Sequence, residues 1–498
     1  MQKVKIAGLI IFLGIVFMME SCRKDPIFNT DPNFRLEFSV GSISSGTIIG
    51  DTVRFDTVFT SLGSTTLLLK VYNRSDKDVN IQTIELVGGE NSPFRINVNG
   101  DTSLLQTNVR LRAKDSMFIF VRVTIDPDDK TKPFLELDSI RFLFNNRSQY
   151  VILEAFGQNA IYHLPTERDF FYNGDTLRLR YSIANVDTFA TSLQTHVIYG
   201  YLLVQEELIL NAGTRLHFAP NSGLIIAEGG SLKVNGSHGN EVIFEGMRMD
   251  NTYHGSVTGQ WDRIWFLSGS VGNHINWAIV RNGKIGFLMD SMPHLNSPLI
   301  IENTIIDNMQ SHGIFTQHSA IRGNNLQVSN CGECLLALHG GDYIFEHCTF
   351  ANYFSSPNFI RRMPSVVLDS TSLHPLSRAD FTSCIIYGSI SDELELRFAW
   401  QNSPVFRFDH CLIRTRINTS GNNFVECKIN PPGENIPYFQ DPASGNFHID
   451  SQLSAAFENG KPYPNVLYDL NDRERNRYRP TIGALEFQSP DALQIFSP

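Results

Sequence analysis

Asp250, Asp262, Asp290 and Asp307 are the acidic residues of most chemical interest in this chain, because they are scattered through a stretch of short apolar segments. Glycoside hydrolysis needs two carboxylates facing one sugar, roughly 5–10 Å apart. Cleavage of a polysaccharide by elimination needs a base, which Arg or Lys can supply, and an acid cluster beside it could hold calcium. These four Asp are isolated along the chain, so they read as solvated turn acids and no catalytic residue is assigned. Trp261 and Trp265, in Gly259-Gln260-Trp261-Asp262-Arg263-Ile264-Trp265-Phe266, could form an aromatic platform for sugar rings; packing in a core or corner is the favoured alternative. A polar, aromatic segment at 353–375 carries Tyr353, Phe359, Arg361, Arg362, Asp369 and His374 and is the expected ligand-binding loop. Cys331-Gly332-Glu333-Cys334 has a C-x-x-C spacing. A zinc site would need a second pair or His partners, and a redox role would need a helix N-terminus. A local disulfide or two reduced thiols remain, and no metal or cofactor is expected.

The elements that must hold these residues follow from periodicity. From about 197 the chain consists of very short apolar strands, such as 214–218, 223–226 and 242–244, separated by Gly, Asn and Ser turns. No segment has a helical period. Six segments align on Ala278, Thr304, Leu326, Cys348, Cys384 and Cys411, which are 26, 22, 22, 36 and 27 residues apart. Two residues after each centre the chain is apolar, and four residues after the first four it is Asn: Asn282, Asn308, Asn330 and Asn352. One coil of a parallel solenoid has about this length. Equivalent residues then stack about 4.8 Å apart. Cys348, Cys384 and Cys411 form an inward ladder on this register, Phe345, Phe381 and Phe408 form another, and the Asn line a corner that accepts left-handed dihedrals.

Residues 34–160 differ. About seven strands, among them 66–72, 116–125 and 150–155, alternate with turn signals such as Asn73-Arg74-Ser75-Asp76. This spacing argues for a β-sandwich. Leu69-Lys70-Val71-Tyr72-Asn73, Phe118-Ile119-Phe120-Val121-Arg122-Val123-Thr124-Ile125-Asp126-Pro127 and Val151-Ile152-Leu153-Glu154-Ala155-Phe156-Gly157 resemble bacterial Ig-like domains of the ASH and major-sperm-protein type. That resemblance implies a spacer or docking module.

The end of the chain, Asp469-Leu470-Asn471-Asp472-Arg473-Glu474-Arg475 and then Ile482-Gly483-Ala484-Leu485-Glu486, resembles the tail of bacterial pectin-lyase-like β-helix proteins. The likeness covers residues 197–487 and implies a right-handed parallel β-helix whose tail closes the last coil. The pectin-hydrolysing members carry Asn-Thr-Asp, Asp-Asp, Gly-His-Gly and Arg-x-Lys motifs. Here Asn303-Thr304-Ile305 breaks the first, Asp128-Asp129 lies in the other domain, and Gly236-Ser237-His238-Gly239 is spaced wrongly.

The first residues bear on compartment. Lys3 and Lys5 precede an apolar run from Ile6 to Met19, and Ser21-Cys22 follows. The arrangement resembles a lipoprotein signal peptide cut before Cys22, which takes the lipid. The expected organisation is a signal peptide at 1–21, a tether at 22–33, an Ig-like β-sandwich at 34–160, a linker and cap at 161–196, a β-helix at 197–487 and a tail at 488–498. The fold class is all-β, and the location an exported lipoprotein of the outer membrane. A net charge of −10 argues against a nucleic-acid partner. The expected function is a non-catalytic envelope protein, held to the membrane by its lipid anchor, whose β-helix binds polysaccharide or another envelope protein. The alternative is a polysaccharide lyase or glycoside hydrolase with non-standard catalytic residues.

Overall fold

The computed structural model describes residues 26–487, apart from 42–46, 50, 61–62, 65, 127–133, 191–194, 250–256, 293–294, 357–358, 399–404 and 431–433. Cys22 and Asp250 lie outside the described residues, as do the signal segment and the tail after 487. The chain is nearly all β, with no α-helix among the described residues, and it divides after Asn159 into two compact units.

In the first unit, alternation builds two five-stranded sheets that share one apolar core. Strand Ser116–Val123 shows the rule: Met117, Ile119, Val121 and Val123 are buried while Phe118 and Phe120 face outward. It pairs antiparallel with Leu67–Tyr72 and Phe94–Val98. In the second sheet Arg147–Gln158 pairs antiparallel with the central strand Phe134–Phe144 and parallel with Thr52–Phe59. Strands Glu37–Gly41, Thr47–Ile49 and Leu105–Leu111 add to those read from sequence.

The second unit is β-helix-like. Its coils build three parallel walls of mostly short strands, and two long strands each run through two of the walls. The first wall includes Tyr201–Val204, Gly223–Ile226, Ile264–Phe266, Ile285–Met289, the start of His312–Asn324, the start of Leu336–Glu346, Val366–Asp369 and Leu394–Arg397. The second includes Ser231–Asn235, His274–Asn276, Leu299–Glu302 and the later halves of those two long strands. The third runs from Thr195–Ile198 through Ile305–Asp307 and Thr349–Asn352 to Lys428–Asn430. Coiling begins before 197, because Ile161–His163 and Tyr181–Ile183 already pair in parallel with the third and first walls.

The corner between second and third walls is a column of left-handed residues: Trp277, Asn303, Asn325, His347, Ser383, His410 and Glu426. Each stands immediately before an inward small or apolar residue. Asn303 donates to Asn276 Oδ1 and Asn325 to Asn303 Oδ1, both at 2.9 Å, so one coil's amide holds the next. Inside, Phe345, Phe381 and Phe408 stack with centroids 5.1 and 5.0 Å apart, and Phe424 continues the series at 5.1 Å. Cys348, Cys384 and Cys411 are buried beside them, and Cys427 follows in register. Each Phe contributes about 1.5–3 kcal/mol by burial.

Two expectations need correction. Asn282, Asn308 and Asn330 have positive φ, and Asn308 donates to Asn282 Oδ1 at 2.7 Å. Asn352 instead stays in its strand, and its amide donates to Cys331 O and Glu333 O. The physical reason is the long excursion that follows it, which needs no tight corner there. The tail motif does not close the last coil. Residues 437–487 run back over the outer face of the third wall, covering Ile385, Tyr387 and Leu412 with Ile449, Ala456 and Ile482. Gly483 N donates to Ser383 O and Ala484 N to Thr349 Oγ1. Buried Arg475 donates to Asn325 Oδ1 and to the carbonyls of Gly483 and Ala484.

Candidate functional site

Period-two alternation decides what the first wall shows outside. In Ile264–Phe266 the flanking residues are buried and Trp265 faces out. Leu288 and Phe315 lie in register with it on the next two coils. Two residues further along, Gln317, His339, Asp369 and Arg397 occupy successive coils. Asp290 heads this polar column, since Met289 pairs with Thr316. An apolar strip thus runs beside a polar one.

Asp290 is the best-held acid on this face. Tyr172 Oη donates to its Oδ2 at 2.7 Å and Trp265 Nε1 donates at 2.9 Å. The two rings meet edge to face at 5.6 Å. Burial pushes the Asp290 carboxyl above its ordinary range, against the pull of those donors, and pushes the Tyr172 phenol up to about 12. Further along, His339 Nδ1 lies 3.1 Å from Asp369 Oδ2, and Phe315 packs against His339 and His312 at 5.1 and 5.4 Å. His312 approaches Glu333 at 3.3 Å, and burial lowers its pKa.

Two covers frame this stretch. On one side the hairpin of Phe170–Tyr172 and Asp175–Leu177 packs on Tyr201, Leu203 and Ile225. On the other, Met363 packs over Cys334, Ala337 and Val367. Between them Leu288 and Phe315 are half-buried and Gln317 is exposed. Asp262 sits under the first cover with both oxygens engaged. Burial works against its charge, but Arg263, bound through Nε and Nη2 at 3.0 Å, and Tyr201 outweigh it and lower its pKa.

The expected binding loop does not form one site. Tyr353 packs under the tail with Phe439 and Phe447. Phe359 is 45 % exposed and leans on Phe354. Arg361 is buried, with Nη2 2.6 Å from Glu393 Oε1, so it latches its loop to the solenoid instead of meeting a ligand. Arg362 is exposed in a separate cleft near Asp392 and Arg416. His374 faces His318, and only Asp369 joins the polar column. Trp261 is not a platform: it is fully buried, stacked on Phe218 at 4.5 Å, with its indole donating to Arg281 O. Its place just before the strand turns it inward. Asp262 and Asp307 are not solvated turn acids either, since burial raises Asp307 to about 6. Cys331 faces the core and Cys334 the Met363 cover, and both are free thiols.

Among the described residues no group of acids, His and Cys could hold a metal ion. Asp290 and Asp369 stand three coils apart, roughly 14 Å at the spacing of parallel strands. That exceeds the span of a glycosidase pair. Sequence reasoning missed Tyr172, Phe315 and His339, which carry no motif, and took Asp290 for an isolated acid. Cys427 and Phe424 were legible, because Phe424-Val425-Glu426-Cys427 repeats the Phe-x-x-Cys pattern.

No protein-family model and no curated protein matches this chain. Among solved structures, it is similar to a family 123 glycoside hydrolase from Clostridium perfringens, with 11 % identity and a TM-score of 0.18 over 34 % of this chain and 38 % of that one. The chain therefore spans well under half of that protein's length. The CooA pilin subunit from enterotoxigenic Escherichia coli matches at 10 % identity and a TM-score of 0.16, over 25 % of this chain and 98 % of that one. The catalytic domain of a GH87 α-1,3-glucanase in complex with nigerose matches at 11 % identity and 0.17, over 73 % and 88 %. Similarities this slight decide neither the chemistry nor the ligand.

Proposed function

We propose that this chain is an exported envelope lipoprotein that binds glycan on the first wall of its solenoid. The observation that carries the reading is the Trp265–Asp290–Tyr172 contact, set beside an open apolar strip and a column of hydrogen-bonding side chains. Sugar rings offer an apolar face and a rim of hydroxyls, and a strip next to a polar column meets both. The two strips run across successive coils, which suits a polymer. The pectin-lyase-like, right-handed form of the β-helix and the Ig-like nature of the first unit belong to this reading, with that unit acting as a spacer from the membrane. Binding rather than cleavage is proposed, because Asp290 and Asp369, the acids of the polar column, are too far apart to share one glycosidic bond.

The test is calorimetric titration of the chain with a panel of neutral, amino and uronic oligosaccharides. Trp265→Ala and Asp290→Asn should each weaken the best ligand at least tenfold, with both variants still folded by circular dichroism. Binding unaltered in both variants, or reducing sugar released on incubation, would overturn the proposal.

A further inference from the structure

The first wall continues beyond the Trp265–Asp290 contact. Past Tyr172, between the hairpin at 170–177 and the turns that follow Val204, Ile226 and Phe266, lies a cleft of about 500 Å³. Phe171 and Tyr172 form one side of it, and Gln205, Glu228 and Ser268 the other. Phe171 is 71 % exposed, an aromatic ring left in water at the rim of a cleft. Leu267 at its base stands level with Asp290, whose N–H donates to Phe266 O, so cleft and contact are neighbours on one wall.

Glu228 is the only charged residue lining the cleft among the described residues. Arg263, which acts on Asp290, is paired through Nε and Nη2 with Asp262, and Lys284 is shared between Asp262 and Asn221. A ligand spanning cleft and contact therefore meets the carboxylates of Glu228 and Asp290 and the rings of Phe171, Tyr172 and Trp265. A uronic acid would set its carboxylate against like charge. A protonated amine is attracted both by carboxylates and by aromatic faces.

We propose that the cleft is a subsite for an amine-bearing sugar, extending the Trp265–Asp290 site so that the ligand is a chain of amino sugars lying along the solenoid axis. This rests on the carbohydrate-binding reading above. The experiment titrates the full chain with a glucosamine hexamer, its N-acetylated counterpart, a galacturonate hexamer and hexalysine. The glucosamine hexamer should bind at least tenfold tighter than the other three. Glu228→Gln should abolish that preference and leave the N-acetylated hexamer bound as before. Phe171→Ala should weaken the glucosamine hexamer at least fivefold and leave its dimer unchanged. Equal affinity for the three sugars, or a preference that survives Glu228→Gln, overturns the subsite while leaving a Trp265-dependent glycan site standing. Hexalysine bound as tightly as the glucosamine hexamer reassigns the cleft to a basic peptide and overturns the sugar assignment. No binding of any hexamer overturns the carbohydrate reading itself.

Discussion

The direction in which a side chain points decides what its replacement does in this solenoid. Cys384 lies between Cys348 and Cys411 in the core, and burial pushes its thiol up, so it acts as a small apolar residue. Cys384→Ala should destabilise by about 1 kcal/mol, the scale of a small buried deletion. Cys384→Asp should destabilise by more than about 3 kcal/mol, because its charge would have no partner. Urea unfolding of both variants measures the difference, and a tolerated Asp would show that the column is solvated. Asp307 gives a pH signature. Burial raises its carboxyl to about 6 despite donors at Ser329 and Asn330 and the charge of Arg281. Below its ordinary pKa of 3.8 both states are protonated and the contribution to stability is fully present. Between 3.8 and about 6 the folded state holds a proton that the unfolded state has released, so stability falls as pH rises through that window. Asp307→Asn should flatten the melting temperature between pH 4 and 6 and raise it at pH 7. Such residues were only partly legible. Trp261 and Trp265 share one motif, yet one is core and the other faces out, because Trp265 lies in the strand Ile264–Phe266 and Trp261 lies outside it.

Among the elements, the returning segment 437–487 stabilises the solenoid by covering its third wall. It shields Ile385 and Leu412 on the outside of the third wall, and its own Ile449 and Ile482 are buried there. A chain ending at 436 should lose the burial of these groups, about 1.5–3 kcal/mol for each large side chain. Its urea midpoint should fall sharply and a hydrophobic dye should bind the uncovered wall; an unchanged midpoint would mean that the segment only rests there. The ladders were legible because their residues repeat, and the left-handed corner continues through His347, Ser383 and His410 where Asn gives way to other types. The path of the tail was not legible. Its Asp469, Arg475 and Glu486 are spent on its own backbone and on Asn325, and a motif says which residues bond without saying which wall they cover. Strand Leu105–Leu111 was missed for a related reason. It is an edge strand with few buried side chains, so its alternation is faint.

For the whole molecule, the anchor is the test of location. Cys22→Ala should abolish labelling by radioactive palmitate and leave the signal segment uncut, and equal labelling of variant and parent would remove the membrane from the proposal. The sequence by itself determined the all-β class, the change of pattern between two regions, the coil length and the inward Phe and Cys columns. These depend on local periodicity and on repetition, which one dimension records. Only the tertiary structure decided that Tyr172, from a hairpin before the regular coils, meets Trp265 and Asp290, and that Gln317, His339 and Asp369 line up beside Phe315. Their separations along the chain are irregular because loops of different length leave each coil. Stacking the coils removes those lengths and brings the side chains to one strand spacing, so a face with no motif in the sequence becomes continuous on the wall.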